Sequence, residues 1–196
     1  MPRTSHKNSA SVTQPLFKSS GLEDKLLEKK HLRLQLQHLL QERISHEMPI
    51  VGFFVEKDEE FALIRDLIHG ISGLGAGVVI FAPKNTKEES LPFDLYDEAM
   101  IISYDHTSHK DLFTGCDMVV SFSDNAVKKC FATHIVPVAF SECSGVSNYH
   151  PNRETGNSFT FAKKDQWHIF AAVVRAMETY RFPFDWKQIA KAGKNR

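Results

Sequence analysis

The chain has 196 residues with 24 Lys+Arg against 24 Asp+Glu, so it carries no net field to gather nucleic acid or an anionic membrane surface. An apolar fraction of 42% with 15 Phe excludes a disordered polymer, and the length suits one domain with a sizeable core. No apolar run reaches the length of a bilayer span and the N-terminus has no hydrophobic leader, so a cytoplasmic location is the default expectation.

Residues 1–20 (MPRTSHKNSASVTQPLFKSS) are polar, rich in Ser and Thr and without periodicity; they read as a disordered tail. A leader for a specialised secretion system is the alternative. Order is expected from Ser20, where Ser20-Gly21-Leu22-Glu23 has the form of a capping box. From there to His46 good helix formers dominate, and Leu32, Leu36, Leu39 and Leu40 make one stripe. This leading helix, 21–46, either packs on its own domain, which the stripe favours, or docks a protein partner.

Residues 49–55 (PIVGFFV) read as a strand buried on both faces. An acidic turn, Glu56-Lys57-Asp58-Glu59-Glu60, opens a helix over 59–71 with Phe61, Ile64, Leu67, Ile68 and Ile71 inward. Gly70, Gly73, Gly75 and Gly77 precede the strand 78–81 instead of opening a helix, so they read as helix stop and turn, not as a phosphate loop. Residues 83–97 are loop-like and 99–104 form a third strand. The stretch 104–140 organises the rest: polar turn, short helix, strand 118–122, amphipathic helix, strand 135–140, which is a βαβ unit. A turn-rich loop leads to a short strand at 158–161. Asp165 caps a helix to residue 180 with Trp167, Ile169, Phe170, Val173, Val174 and Met177 inward; Pro183 ends it, and 186–192 make a terminal helix. Alternating strands and helices predict an α/β, Rossmann-like, doubly wound parallel sheet in a single domain over 21–196, its core at 49–196. In such sheets function gathers at the carboxyl ends of the strands.

Two constellations have a chemical and a plain reading. Asp105, His106, His109 and Asp111 can be drawn as a metal site, but a solvated helix start is favoured and no metal is expected. Cys143 with His134 or His150 can be drawn as a nucleophile pair, against a plain loop thiol. Cys116, Cys130 and Cys143 follow no C-x-x-C spacing and read as buried thiols of a reducing compartment.

In order along the chain stand a K-x-x-L-Q-type helix (30–39) before a Pro-led strand, and Tyr104 opening a segment that ends Gly115-Cys116-Asp117 before an apolar strand and Ser. His-Ile-Val-Pro-Val (134–138), Ser144-Gly145-Val146, Asn157-Ser158-Phe159-Thr160-Phe161, Arg175-Ala176 and Trp186 follow. Through these, residues 26–193 resemble the C-terminal, donor-binding domain of bacterial glycogen synthases and plant starch synthases, glycosyltransferases of the two-domain GT-B architecture. The resemblance implies that fold and a nucleotide-sugar crevice. The departures fall on the crevice. Where the family places Arg and then Lys to neutralise a diphosphate, this chain has an apolar residue and, in the Lys position, Asp58, within a turn of four carboxylates and one Lys. Those acids satisfy the helix start themselves and repel an anion. The family's Glu-Pro-x-Gly-Leu is replaced by Ser121-Phe122-Ser123-Asp124-Asn125-Ala126, in which Asp124 reads as an N-cap. Residues 1–48 leave no room for the family's N-terminal domain, and one wall of a two-domain cleft cannot position donor and acceptor together.

The expectation is a degenerate, non-catalytic glycogen-synthase-like domain that binds a protein or a carbohydrate, with no catalytic residue, no cofactor and no nucleotide sugar. What remains of the donor outline is Ser144, Gly145, Lys57 and Asp124. The rivals are a half-enzyme using ADP-glucose or UDP-glucose with a separately encoded domain, and an exported effector on the same scaffold.

Overall fold

The apolar runs of the sequence become the strands of one parallel sheet. In the computed structural model, residues 21–40, 47–83, 99–103 and 111–193 are described. They form α1 (Gly21–Leu39), β1 (Ile50–Phe54), α2 (Asp58–Gly73), β2 (Gly77–Ala82), β3 (Ala99–Ser103), β4 (Met118–Ser121), α3 (Asp124–Ala132), β5 (Val136–Phe140), β6 (Phe159–Phe161), α4 (Gln166–Tyr180) and α5 (Pro183–Ala192). The sheet order is β3-β2-β1-β4-β5-β6, with every pairing parallel. The order reverses between β1 and β4, where Phe53 stands opposite Val120 and Phe54 opposite Ser121. This is the α/β doubly wound, Rossmann-like arrangement that the alternation predicts.

Strand alternation divides the core. Val51, Phe53 and Val55 face α2, α4 and α5, joining Phe61, Ile64, Ile68, Ile169, Val173 and Ile189. Ile50 and Phe54 face the other way, toward Leu32 and Leu36 of α1 and Ala126 and Cys130 of α3. Gly52 lies on that second face, where a Cβ would come within 2.9 Å of Val119 Cγ2 and 3.0 Å of Cys116 Sγ. Only glycine lets Val119, Cys116 and Phe81 close this tightly over β1.

Helix α1 packs on its own domain through Leu32 and Leu36, with Leu40 just beyond it also buried, while Leu39, the last residue of the helix, is 44% exposed and leaves the expected stripe. A Cβ at Gly115 would meet the Leu32 carbonyl oxygen at 2.7 Å, so α1 rests directly on the 3-10 turn Leu112–Gly115. That turn replaces the short helix expected there. The α-helix ends at Leu39; Ser20 of the expected capping box and residues 41–46 of the expected longer helix lie outside the described residues, as do 1–20.

A polar joint fastens α1 across the amino ends of the strands. Arg33 Nη2 lies 3.1 Å from Asp117 Oδ2 and donates to the Met48 carbonyl at 2.9 Å and to the Tyr180 hydroxyl at 3.3 Å. Asp117 Oδ2 also accepts from the Ile50 N–H at 2.9 Å. Lys29 Nζ donates to the His134 carbonyl at 2.9 Å, from a residue whose left-handed φ of 57° turns α3 into β5. Burial pulls the Lys29 pKa down, against the pull of Asp117.

The last two helices depart from the sequence pattern at their edges. Trp167, expected inward, is 80% exposed, while Ile169, Val173 and Met177 are buried. Pro183 does not only end α4: at the first turn of α5, its fixed φ starts the next helix.

Candidate functional site

Every strand of a parallel sheet ends on the same edge, and the reversal of order between β1 and β4 opens a crevice there. Two turns face each other across it: Val55-Glu56-Lys57 leading into α2, and Phe122-Ser123 leading into α3.

The first turn is closed by its own side chain. Glu60 Oε2 accepts the Glu56 N–H at 2.8 Å and the Lys57 N–H at 3.3 Å, and the Glu60 N–H returns to the Lys57 carbonyl at 3.0 Å. This is the reciprocal arrangement of a capped helix start. The Glu56 and Lys57 amides at this helix start are therefore already bonded to a tethered carboxylate, which an anion reaching them would have to displace. Glu56 Oε1 accepts from Asn125 Nδ2 at 3.4 Å, so the β1–α2 turn is also tied to α3 across the crevice. Lys57 is exposed at the helix edge, where its backbone, not its ammonium, makes these bonds.

The second turn shifts the role assigned to Asp124. The N-cap of α3 is Ser123, whose hydroxyl accepts from the Ala126 N–H at 3.3 Å. Asp124 is the first helical residue, and its carboxylate turns outward to the loop after β5. There it accepts the Ser144 N–H at 2.7 Å and the Ser144 hydroxyl at 2.9 Å. Those two bonds, the backbone one first, hold its pKa below the ordinary carboxylate value.

Gly145 follows with φ of 79°, the left-handed value that a glycine adopts without strain. Its carbonyl accepts from Asn157 Nδ2 at 2.9 Å, while Asn157 Oδ1 accepts the Ser147 N–H at 2.8 Å. Asn157 is buried and bridges the two arms of the 141–158 loop, which is further laced by the Ser158 hydroxyl donating to the Ser147 carbonyl at 2.9 Å.

Of the expected donor outline, Asp124, Ser144 and Gly145 thus meet in one clip, and Lys57 lies on the same edge without a hydrogen bond to them. Two residues at this edge escaped the sequence reading. Glu60 was only one of four carboxylates in a run; the spacing of a capping box, a cap followed three residues later by Glu, is the signal that singles it out. Asn157 carries no such signal, because its partners Gly145 and Ser147 are set by the loop's return.

The other constellations resolve differently. Asp105, His106 and His109 lie outside the described residues, and Asp111 is exposed. Among the described residues no group of three His, Cys, Asp or Glu side chains is placed to hold a metal ion. Cys116, Cys130 and Cys143 are free and buried. Cys143 packs with Val127 and Ala139, and burial first, then the Asp124 charge, raises its pKa. Burial pushes Cys116 and Cys130 up as well. A nucleophilic thiol needs the opposite shift, so these are packing groups. No described helix is long and apolar enough to cross a membrane.

No family model matches the sequence, and no curated protein matches it. Among solved structures, the catalytic domain of starch synthase IV from Arabidopsis thaliana, bound to ADP and acarbose, superposes with a TM-score of 0.67 at 20% identity over 94% of this chain. The UDP-GlcNAc 2-epimerase from Neisseria meningitidis, bound to UDP-GlcNAc, superposes with a TM-score of 0.54 at 11% identity over 86% of it. The chain spans 42% of the first structure and 46% of the second, less than half of each. These likenesses show the fold alone: a Rossmann-like α/β domain of the kind found within both structures.

Proposed function

We propose that this glycosyltransferase-like domain is a binding module that makes no use of a nucleotide sugar, its partner being a protein or a carbohydrate. The observation that carries the reading is the closure of the β1–α2 turn by Glu60, which takes the Glu56 and Lys57 amides at the point of sheet reversal. A diphosphate entering there would have to displace a carboxylate held at high effective concentration and then sit among Glu56, Glu59 and Glu60. The neighbouring clip supports the same reading. Asp124, the carboxylate at the start of α3, spends both oxygens on Ser144.

Calorimetric titration with ADP-glucose and UDP-glucose at low salt tests this, because phosphate attraction is least screened there. The expected result is no heat at millimolar ligand. Micromolar binding would overturn the reading in favour of a half-enzyme whose catalytic cleft is completed by a second domain.

A further inference from the structure

The chain's charges balance overall, 24 against 24, but not along its length. From residue 181 onward Arg181, Lys187, Lys191, Lys194 and Arg196 stand against the single acid Asp185. Within this stretch Phe184, Lys187, Gln188 and Lys191 recur along α5 at the spacing of one helix face. Phe184 is 68% exposed, and Phe182, at the N-cap, is 59% exposed. Lys187 and Lys191 are exposed too, and neither is ion-paired with a described carboxylate. Asp185 leaves this face. Burial first, then the Asp185 charge, raises the pKa of Tyr149, so the acid lies toward the domain.

The face is fixed outward. Ile189 is buried, Trp186 is stacked on Phe159 and edged by Tyr180, and a Cβ at Gly193 would run into the Phe131 ring. At the helix start Pro183 sets the first turn. The Phe182 N–H donates to the Thr179 carbonyl at 2.9 Å, and its own carbonyl accepts the Trp186 N–H at 3.0 Å. Two phenyl rings are therefore held in water at a rigid corner, with two lysines behind them.

A phenyl ring gains by leaving water and carries no hydrogen bond with which to select a protein surface or a base. A lipid interface asks only for apolar depth and positive charge, and the α5 face supplies both. We propose that the outer face of α5, led by Phe182 and Phe184, docks the domain on an anionic lipid surface. The rings enter the boundary of the acyl chains while Lys187 and Lys191 reach the head groups. With so few groups the attachment is peripheral, reversible and sensitive to salt. It is independent of the binding-module reading, since none of these residues belongs to the crevice turns.

The test is co-sedimentation of the full chain with vesicles at low salt, of phosphatidylcholine alone or with about a third phosphatidylserine. Binding to the anionic vesicles is expected, weakened by added salt and absent from the neutral ones. Lys187→Gln and Lys191→Gln should each lower the partition about fivefold. Phe182→Ser combined with Phe184→Ser should abolish it without lowering the melting temperature, because both rings face water and Ser is a good N-cap. No binding to anionic vesicles, or binding that these substitutions leave intact, overturns the assignment. So does binding of a single-stranded thymidine oligonucleotide, or self-association, that the same substitutions abolish while vesicles have no effect. None of these outcomes touches the nucleotide-sugar titration, which decides the binding-module reading separately.

Discussion

At the amino ends of the strands the charged groups are sheltered and shared between distant parts of the chain, with Arg33 and Asp117 only 17% and 9% exposed and 84 residues apart. At the carboxyl ends they are open, as Glu60 closes the turn four residues before it and Asp124 holds an exposed serine twenty residues on. The edge where α/β sheets usually keep their chemistry is here occupied by exposed groups that satisfy one another. The opposite edge holds the long-range ionic joint. Buried charge in this domain marks assembly of the fold, and the distinction follows from screening. A pair out of water interacts strongly but must be complete, whereas an exposed pair contributes little to stability.

That contrast can be broken experimentally. Asp117→Ala removes the partner of a sheltered Arg33 and the acceptor of the Ile50 N–H, so a loss of about 3 kcal/mol in urea unfolding is expected. A loss comparable to that of an ordinary surface substitution would remove the distinction between the two edges. Gly115→Ala drives a methyl group toward the Leu32 carbonyl and should cost about 1–3 kcal/mol, with faster amide exchange concentrated in α1.

At the other edge effects shrink. Glu60→Gln should cost about 1 kcal/mol, as losses at helix caps do. ADP binding should not appear in this variant, because Glu56 and Glu59 remain. If ADP did bind, the carboxylate alone would be what closes the turn, sharpening the comparison to a single side chain.

The smallest effect is in the Asp124 clip and shows in its pH dependence. The folded pKa lies below the unfolded one, so the stabilisation is complete above about pH 4 and fades as pH falls through the lowered value. The difference in stability between the wild type and Asp124→Asn should follow that course in acid melts. A difference unchanged down to pH 2 would mean that the Ser144 bonds contribute nothing to folding.

Much of this was legible beforehand. Six apolar runs became six strands with boundaries shifted by a residue or two, because a strand buried on both faces has no other way to satisfy its backbone and its side chains. Helix α2 turned the five predicted residues inward since its pattern has one apolar face. The site was less legible. That the acidic turn satisfies its own helix start could be read; which carboxylate does so is told only by the capping-box spacing, which points to Glu60.

Sequence alone determined the α/β alternation, the buried thiols and the absence of a basic turn at the crevice, all of which depend on residue type and local period. The tertiary structure decided the rest. Asp124 gave up the N-cap to Ser123 because Ser144, twenty residues on, offered it two donors. Trp167 faces solvent because α4 is apolar around most of its circumference, and a helix without a single apolar face takes its rotation from the sheet and α2 it packs against. Periodicity reports a face only when the other face is polar; where both are apolar, packing chooses.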